Sequence, residues 1–264
     1  MTILDNIIAA KRSEVKLLKR TVPTSQLQKS NFFEREAFSL FHSIMKENST
    51  GIIAEFKRRS PSAGLFHNDI SPAKVASGYC LAKASAISVL TDRAFFGGTI
   101  NDLEEVRKVV DCPVLRKDFV IDEYQVIEAK ASGADAILLI SEVLPAHALS
   151  RLHSLATSLG LEIIVEIHDK KNIDSLPAGT KIAGINNRNL ATLDVNLGNS
   201  EELAGIIPAG IIKVAESGIR SPEDYIRMKK SGFEGFLIGE YFMKNIDPGL
   251  ACKTFIKEIH ECEN

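Results

Sequence analysis

Several motifs that identify common enzyme and binding classes are missing from this chain. The four cysteines lie far apart and form no C-x-x-C pair, and the six histidines form no H-E-x-x-H or other paired metal spacing. The thiols are therefore expected to be buried or bystander groups, and no metal site is predicted. The glycines form neither G-x-G-x-x-G nor G-x-x-x-x-G-K, which weakens the case for a dinucleotide or a P-loop nucleotide.

The chain also lacks a strong charge of either sign and a long apolar run. Its formal charge of -2 provides no general attraction to nucleic acid or to an anionic membrane. The apolar runs are too short to span a bilayer, and charges appear as early as Asp5 and Lys11, so neither a transmembrane helix nor a signal peptide is expected. These absences predict a cytoplasmic protein that acts on a small molecule.

What the chain does contain is a regular series of short apolar runs. With 264 residues and 45% hydrophobic content it is long and apolar enough for a sizeable core. Eight runs rich in Ile, Val, Leu and Ala have the composition of parallel strands that are buried on both faces. They are Ile52–Lys57, Ala86–Leu90, Val114–Lys117, Ala136–Ile140, Glu162–Ile167, Lys181–Asn186, Ile212–Glu216 and Gly235–Gly239.

Segments with helical periodicity separate the predicted strands. Their expected starts are Ser71, Asn101, Asp122, Pro145 and Ser221, and weaker helices are predicted near 168–176 and 199–207. Eight strand and helix alternations in about 210 residues are typical of an α/β fold of the (β/α)8 TIM-barrel type. A doubly wound open sheet is the alternative, although it usually has fewer strands.

Residues 1–50 have a different pattern from the barrel predicted over residues 51–264. Ile3, Leu4, Ile7 and Ile8 begin an apolar stripe at helical spacing, which predicts an amphipathic helix. A phenylalanine-rich segment follows, and it is interpreted as a second helical group. The whole chain is predicted to be a single domain in which this N-terminal helical extension either packs against the barrel or also covers a pocket.

Polar and charged residues cluster where the predicted strands end. In a TIM barrel the chemistry lies at the carboxyl ends of the strands, and alternate strands share inward-facing layers. A lone Lys or Glu there is best explained as a structural ion pair, but five charged groups at one end favour a site. The candidate catalytic residues are Glu55, Lys57, Lys117, Glu166, Asn186, Arg188, Glu216 and Ser217.

Two lysines with several glutamates suit acid and base chemistry on a carbonyl substrate without a metal. A desolvated lysine, or one near other cations, is expected to lose proton affinity, and a glutamate in an apolar mouth is expected to gain it. Schiff-base formation by one lysine is equally compatible with these residues.

The turns after the last two strands contain glycine, which lets backbone N–H groups approach an anion. TIM barrels often hold a phosphate on these loops, and a serine-rich segment after the first strand adds further donors. A phosphate-bearing substrate is therefore predicted. The candidate phosphate-binding residues are Ser60, Gly218, Gly239 and Glu240, and Glu240 is expected to act through its backbone N–H because its carboxylate would repel the anion.

Taken in order, six motifs resemble those of indole-3-glycerol phosphate synthase, and the resemblance covers nearly the whole chain. The motifs are Ile53-Ala-Glu-Phe-Lys-Arg-Arg-Ser-Pro-Ser62, Ser88-Val-Leu-Thr-Asp92 continuing to Phe95-Phe-Gly-Gly98, Leu115-Arg-Lys-Asp-Phe119, Val165-Glu-Ile-His168, Gly184-Ile-Asn-Asn-Arg-Asn-Leu190 and Ala215-Glu-Ser-Gly-Ile219. One departure is Glu240, where many relatives are expected to have a small hydroxyl residue.

The resemblance implies a lyase that closes the indole ring of 1-(2-carboxyphenylamino)-1-deoxyribulose 5-phosphate in tryptophan biosynthesis, with no cofactor. It implies that Lys117 is the general acid, Glu166 the opposing base or charge stabiliser, and Lys57 a second acid. Glu55 and Glu216 would hold the network and the substrate, while Asn186, Arg188 and Ser217 would orient the intermediate. Candidates to contact the substrate ring are Phe119, Phe95, Phe96 and Leu138, for which ordinary packing is the alternative.

Other functions predict different residues or products. A phosphoribosylanthranilate isomerase would need a Cys and Asp pair at the ends of strands one and four, which the sequence lacks, and a Schiff-base aldolase would form an imine that borohydride traps. A catalytically silent barrel used for assembly would not need the intact polar set. The only partner expected is the small phosphorylated substrate, with no nucleic acid or membrane, and the chain is expected to be a monomer or a weak homo-oligomer.

Overall fold

Eight parallel strands form a closed barrel in this computed structural model, which describes residues 2–67, 69–189 and 193–263, with the side chain of Asn199 excepted. Each strand pairs with its two neighbours in chain order, and β1 closes the ring by pairing with both β2 and β8. This arrangement confirms the predicted TIM barrel and excludes the open sheet. The strands are β1 Ile52–Phe56, β2 Ala86–Leu90, β3 Val114–Lys117, β4 Ala136–Ile140, β5 Glu162–Ile167, β6 Ile182–Asn186, β7 Ile212–Glu216 and β8 Gly235–Ile238.

Helices precede the barrel and alternate with its strands. A two-residue β-ladder, Arg59–Ser60 with Gly64–Leu65, also projects after β1. The helices are α1 Ile3–Thr21, α2 Thr24–Leu27, α3 Leu40–Met45, α4 Pro72–Leu81, α5 Arg93–Phe96, α6 Ile100–Arg107, α7 Glu123–Ala131, α8 Ala146–Ser158, α9 Lys170–Ile173, α10 Leu197–Ala204, α11 Pro222–Lys230, α12 Glu240–Met243 and α13 Pro248–Glu263.

Most helix starts follow the capping chemistry of the sequence, with one correction. Ser71, Asp122 and Ser221 each accept a hydrogen bond from a backbone N–H of the first helical turn. The predicted cap Asn101 instead lies inside α6. Thr99 is the cap, because its hydroxyl and the Asp102 carboxylate form a reciprocal capping box that an asparagine two residues later cannot replace.

The N-terminal segment differs from the prediction in its second part. Phe32 and Phe33 lie in turns between α2 and α3, not in a helix. Polar contacts to the barrel hold this region: Arg35 pairs with Asp135 at 2.6 Å, and the Phe41 backbone N–H donates to Glu162 at 2.7 Å. These bonds to barrel residues hold the segment that contains Phe32 and Phe33 although those two residues are not in a helix.

Two layers of buried residues follow from the alternation of side chains along each strand. One layer lies between the strands and the surrounding helices and includes Ala54, Phe56 and Val165. The other fills the barrel interior and includes Ile53, Leu115, Ile164 and Val214, together with residues of α1 and α3. No helix within the described residues is both long and apolar enough to cross a membrane.

Candidate functional site

The strand period of two places four charged side chains at the carboxyl end of the barrel interior. Each follows an inward-facing apolar residue by two positions: Glu55 follows Ile53, Lys117 follows Leu115, Glu166 follows Ile164, and Glu216 follows Val214. The four strands are β1, β3, β5 and β7, which are alternate strands of the barrel. The structure therefore brings these side chains together on one layer, as alternate strands do in this fold.

Lys117 lies at the centre of this layer. Its Nζ is 2.7 Å from Glu216 Oε2 and 3.6 Å from Glu166 Oε2. The lysine side chain retains 15% exposure through the mouth, whereas the two glutamates are almost completely buried. An ammonium group held between two buried carboxylates and open to a cavity is placed to meet a bound ligand.

The Lys117 ammonium group holds its proton more tightly than burial by itself would predict. Burial by itself lowers the pKa of Lys117, but the surrounding carboxylates of Glu216, Glu166 and Glu55 outweigh burial and raise the pKa above its ordinary value. The prediction that this lysine loses proton affinity is therefore wrong. Burial, reinforced by Glu166, raises the pKa of Glu216 to about 8 despite the opposing effect of Lys117, in the predicted direction.

Glu55 and Lys57 form a second ion pair, with Lys57 Nζ 2.9 Å from Glu55 Oε1. Room for Glu55 comes from Gly239, because a Cβ there would lie 2.3 Å from Glu55 Oε1. Gly184 makes the same kind of room for Glu216, whose Oε1 would lie 2.2 Å from a Cβ at that position. Two glycines are therefore required by the carboxylates, a role that the sequence did not indicate.

Asn186 and Arg188 extend the polar wall at the end of β6. The Asn186 amide donates to Glu166 Oε1 at 3.2 Å, and its Oδ1 accepts from the Arg188 backbone N–H at 3.0 Å. Arg188 donates to the Leu193 carbonyl and approaches Glu240 Oε2 at 3.4 Å. The Glu240 carboxylate is thus engaged with Arg188 and with Lys244, at 2.7 Å from Lys244 Nζ.

The turn after β7 has an unusual backbone. Ser217 has φ +65° and Gly218 has φ +84°, so two consecutive residues lie in the left-handed region, which is costly for a serine. A Cβ at Gly218 would lie 2.7 Å from Val195 Cγ1, so the glycine also permits close packing. Ser60 reaches the same cavity from the β-ladder after β1.

An open cavity of about 1090 Å³, including its mouth, lies above these side chains. Fifteen of the sixteen predicted site residues line it; Phe95 does not, and packs instead against the core layer inside the barrel. The assignment of Phe95 to the substrate ring stays a prediction. Phe96 and Phe119 do line the cavity, with ring centroids 6.2 Å apart, and Leu138 lies in its wall.

Sequence reasoning left open whether the N-terminal extension covers a pocket, and it did not name the residues of α1 that line this wall. Ile3, Leu4 and Ile7 line the cavity, so the amphipathic helix covers part of the pocket as well as packing on the barrel. The apolar stripe predicted a buried face, but it did not indicate which surface that face covers. Within the described residues, no cluster of three or more His, Cys, Asp or Glu side chains is arranged to hold a metal ion.

Comparison with known proteins gives the family of the chain. The chain matches the family model for indole-3-glycerol phosphate synthase over residues 4–255. The chain belongs to the indole-3-glycerol phosphate synthase family. Membership makes it an enzyme of the carboxy-lyase class, as the motifs predicted.

Relatives named indole-3-glycerol phosphate synthase cover almost the whole chain. The protein from Bacteroides thetaiotaomicron is 44% identical over 97% of this chain and 98% of its own length. Those from Salinibacter ruber and Thermoanaerobacter pseudethanolicus are 42% and 41% identical over 95% and 97% of this chain, and over 94% and 98% of their own lengths.

A solved structure of low sequence identity has the same fold. A chain of the tryptophan synthase complex from Pyrococcus furiosus superposes with a TM-score of 0.57 at 15% identity, covering 81% of this chain and 98% of that one. At 15% identity the likeness shows a shared fold and nothing more.

Proposed function

We propose that this protein converts 1-(2-carboxyphenylamino)-1-deoxyribulose 5-phosphate into indole-3-glycerol phosphate, carbon dioxide and water. The observation that carries the proposal is the position of Lys117, whose ammonium group contacts Glu216, faces Glu166 and opens to a partly aromatic cavity of about 1090 Å³. Ring closure requires an acid beside the ketone oxygen while an aromatic carbon attacks the carbonyl carbon.

Lys117 is proposed as that acid. Its raised pKa keeps it protonated at neutral pH, and an alkoxide is more basic than an amine, so proton transfer to the developing alkoxide is favourable. The carboxylates that hold Lys117 favour its ammonium form before the transfer. Once the proton has been transferred, they favour reprotonation of the resulting amine. The new carbon–carbon bond leaves a positively charged ring, and expulsion of carbon dioxide returns the electron pair to that ring.

Glu166 is proposed as the opposing base, which removes a proton during the final loss of water. Asn186 donates to Glu166 Oε1 and thereby orients the carboxylate. Lys57, held by Glu55, is proposed as the second acid, which protonates the departing hydroxyl. Arg188 and Ser217 would orient the intermediate from the ends of β6 and β7, and Glu216 would hold Lys117.

The substrate phosphate is proposed to bind Ser60 and the backbone N–H groups of Gly218, Gly239 and Glu240, which share the mouth of the cavity. The Glu240 carboxylate is already engaged with Arg188 and Lys244, which leaves only its backbone for the anion. The aromatic ring is proposed to lie against Phe96, Phe119 and Leu138.

A Schiff-base mechanism receives no support from the same geometry. A lysine must be neutral to attack a carbonyl, whereas Lys117 is ion-paired and its pKa is raised. Borohydride added during turnover is therefore expected to leave the mass of the protein unchanged. A stable adduct on Lys117 would replace the acid mechanism with the covalent one.

The direct test is to supply the carboxyphenylamino-deoxyribulose phosphate and follow the fluorescence of the indole product. We expect turnover by the unmodified protein, and its absence would overturn the proposed reaction. The Lys117→Met variant should lose at least about 10²-fold to 10⁴-fold in kcat because the acid is gone. Lys229→Met is the matched control, since Lys229 is half-exposed and pairs with Glu263 on the outer helices.

A further inference from the structure

Two cysteines that are 32 positions apart in the sequence meet at the amino end of the barrel. Cys80 lies in the last turn of α4, and Cys112 lies in the loop between α6 and β3. Their Sγ atoms are 3.3 Å apart, which is within hydrogen-bonding distance for two thiols. The contact joins two segments of the outer layer, the end of α4 and the loop before β3.

Both residues of this pair are partly exposed. Cys80 and Cys112 are half-buried, whereas Cys252 is buried and Cys262 is exposed. A small reagent can therefore reach the pair in the folded protein. The short distance between the sulfurs also means that little movement is needed to reach the 2.03–2.05 Å typical of an S–S bond, a span of roughly one ångström.

The surroundings make the two sulfurs chemically unequal. The hydrogen bond from the Cys112 thiol lowers the pKa of Cys80, and the charge of Arg107 lowers it further against the effect of burial. The same hydrogen bond and burial raise the pKa of Cys112. Arg107 is held in place by Asp135 at 2.7 Å and by the Cys112 carbonyl at 3.0 Å.

We propose that Cys80 and Cys112 form a dithiol site that exchanges with small disulfides and closes to an internal disulfide bond. The Cys80 thiolate attacks one sulfur of the small disulfide, forms a mixed disulfide and releases a small thiolate. Cys112 then gives its proton to the released thiolate, and its sulfur displaces the second small thiolate from Cys80, which takes up the proton that Cys80 lost. Two protein thiols are oxidised and one small disulfide is reduced to two small thiols, so the exchange is balanced.

The position of the pair predicts what the bond would change. Cys112 precedes β3 at its amino end, whereas Lys117 lies at the carboxyl end of the same strand. In TIM barrels the amino end contributes to stability and the carboxyl end to chemistry. The bond would close a loop that contains β2, α5 and α6, so oxidation should raise the Tm by about 5 °C or more and leave turnover within about twofold.

The test uses the full chain with Cys262→Ser, which removes the exposed thiol, equilibrated with defined mixtures of reduced and oxidised glutathione. Intact mass and peptide mapping are expected to show loss of two hydrogen atoms and a cross-link between the Cys80 and Cys112 peptides. Adding Cys112→Ser should leave a lasting glutathione adduct on Cys80. Adding Cys80→Ser should remove both products.

Two results would overturn the proposal. One is a stable glutathione adduct as the end product when both cysteines are present, because Cys112 would then be unable to displace it. The other is reaction of these thiols only after unfolding in urea. If either serine variant fails to fold, as judged by circular dichroism, the cross-link in the protein that keeps both cysteines still decides between these outcomes.

Discussion

At the scale of single residues, glycines provide the space that the buried carboxylates occupy. Glu216 has one oxygen on Lys117 and a second, Oε1, without a hydrogen-bond partner in the described part of the protein. That second oxygen lies where a side chain at Gly184 would be. A buried polar group that is only partly satisfied is costly, and such groups persist where function requires them. The orientation of Lys117 therefore depends on Gly184.

Substituting Gly184→Ala should displace the Glu216 carboxylate, because the added Cβ would lie 2.2 Å from Oε1 and 2.9 Å from Ile164 Cγ2. We expect kcat to fall by about 10-fold to 100-fold as Lys117 loses its alignment. Gly205→Ala is the control, since its Cβ would make only an ordinary 3.7 Å contact. Equal kinetics in both variants would show that Glu216 does not need this space.

The pKa of Glu216 predicts a pH effect on stability. Burial raises it from the ordinary value of 4.5 to about 8, so the folded protein binds this proton more tightly than the unfolded chain does. The stability contributed by Glu216 is then fully present below pH 4.5 and is lost as the pH rises through about 8. Urea unfolding on both sides of pH 8 should show this loss, whereas Glu216→Gln should lack it. A loss of the same size in the variant would assign the effect to another group.

At the scale of elements, one buried lysine attaches the N-terminal helix to the barrel. Lys11 of α1 is 1% exposed, and its Nζ lies 2.9 Å from Asp118 Oδ1 and 3.1 Å from Asp92 Oδ2. Asp118 follows Lys117 directly, and Asp92 caps α5, which carries Phe96. A single ammonium group therefore links α1 to two walls of the cavity. The period of the apolar stripe gives no sign of this, because Lys11 is a charged residue on a buried face.

Substituting Lys11→Met should leave two buried carboxylates without this cation, which costs about 3 kcal/mol in the free energy of unfolding. Because Ile3, Leu4 and Ile7 line the cavity, we also expect KM to rise more than kcat falls. Urea unfolding and steady-state kinetics measure the two effects. Lys16→Met, on the exposed face of the same helix, should change neither. Unchanged stability in the Lys11 variant would show that α1 is held by apolar contacts alone.

At the scale of the whole molecule, α4 and α13 pack closely where the barrel closes between β8 and β1. Gly78 and Gly249 meet at this crossing, and a Cβ on Gly78 would lie 2.8 Å from the Gly249 Cα. The α13 helix also packs against α11 and α12, so it joins the last repeats of the barrel to the first. Close packing of these helices therefore supports closure.

The Gly78→Ala variant should force α4 and α13 apart, since the new Cβ meets backbone and no flexible side chain can yield. Overpacking of this kind costs about 1–3 kcal/mol, which corresponds to a Tm lower by about 2–10 °C. Thermal unfolding monitored by circular dichroism measures the shift. Gly205→Ala serves again as the control, and an unchanged or higher Tm for Gly78→Ala would contradict the close approach of the two helices.

The division of the chain into an extension of residues 1–50 and a barrel of residues 51–264, together forming one domain, stays a prediction, as do the oligomeric state and the roles of the site residues. The strands were predictable because their apolar runs are short and bounded by turn residues. All eight predicted segments agree with the observed strands to within one residue at both ends, and five of them have identical bounds. The short helices were harder to predict. Thr99 and Asn101 are both good caps, and only the partner Asp102 decides between them.

By itself, the sequence determined the number and order of the strands and which charged residues face inward, since the period of two follows from local backbone geometry. It also determined the family, through motifs that are contiguous in the chain. Only the tertiary structure decided which groups meet. The pairing of Lys117 with Glu216, the attachment of Lys11 to Asp92 and Asp118, and the contact of Cys80 with Cys112 all join residues far apart in sequence. Barrel closure sets such distances, and the net charge around a buried group then sets its protonation.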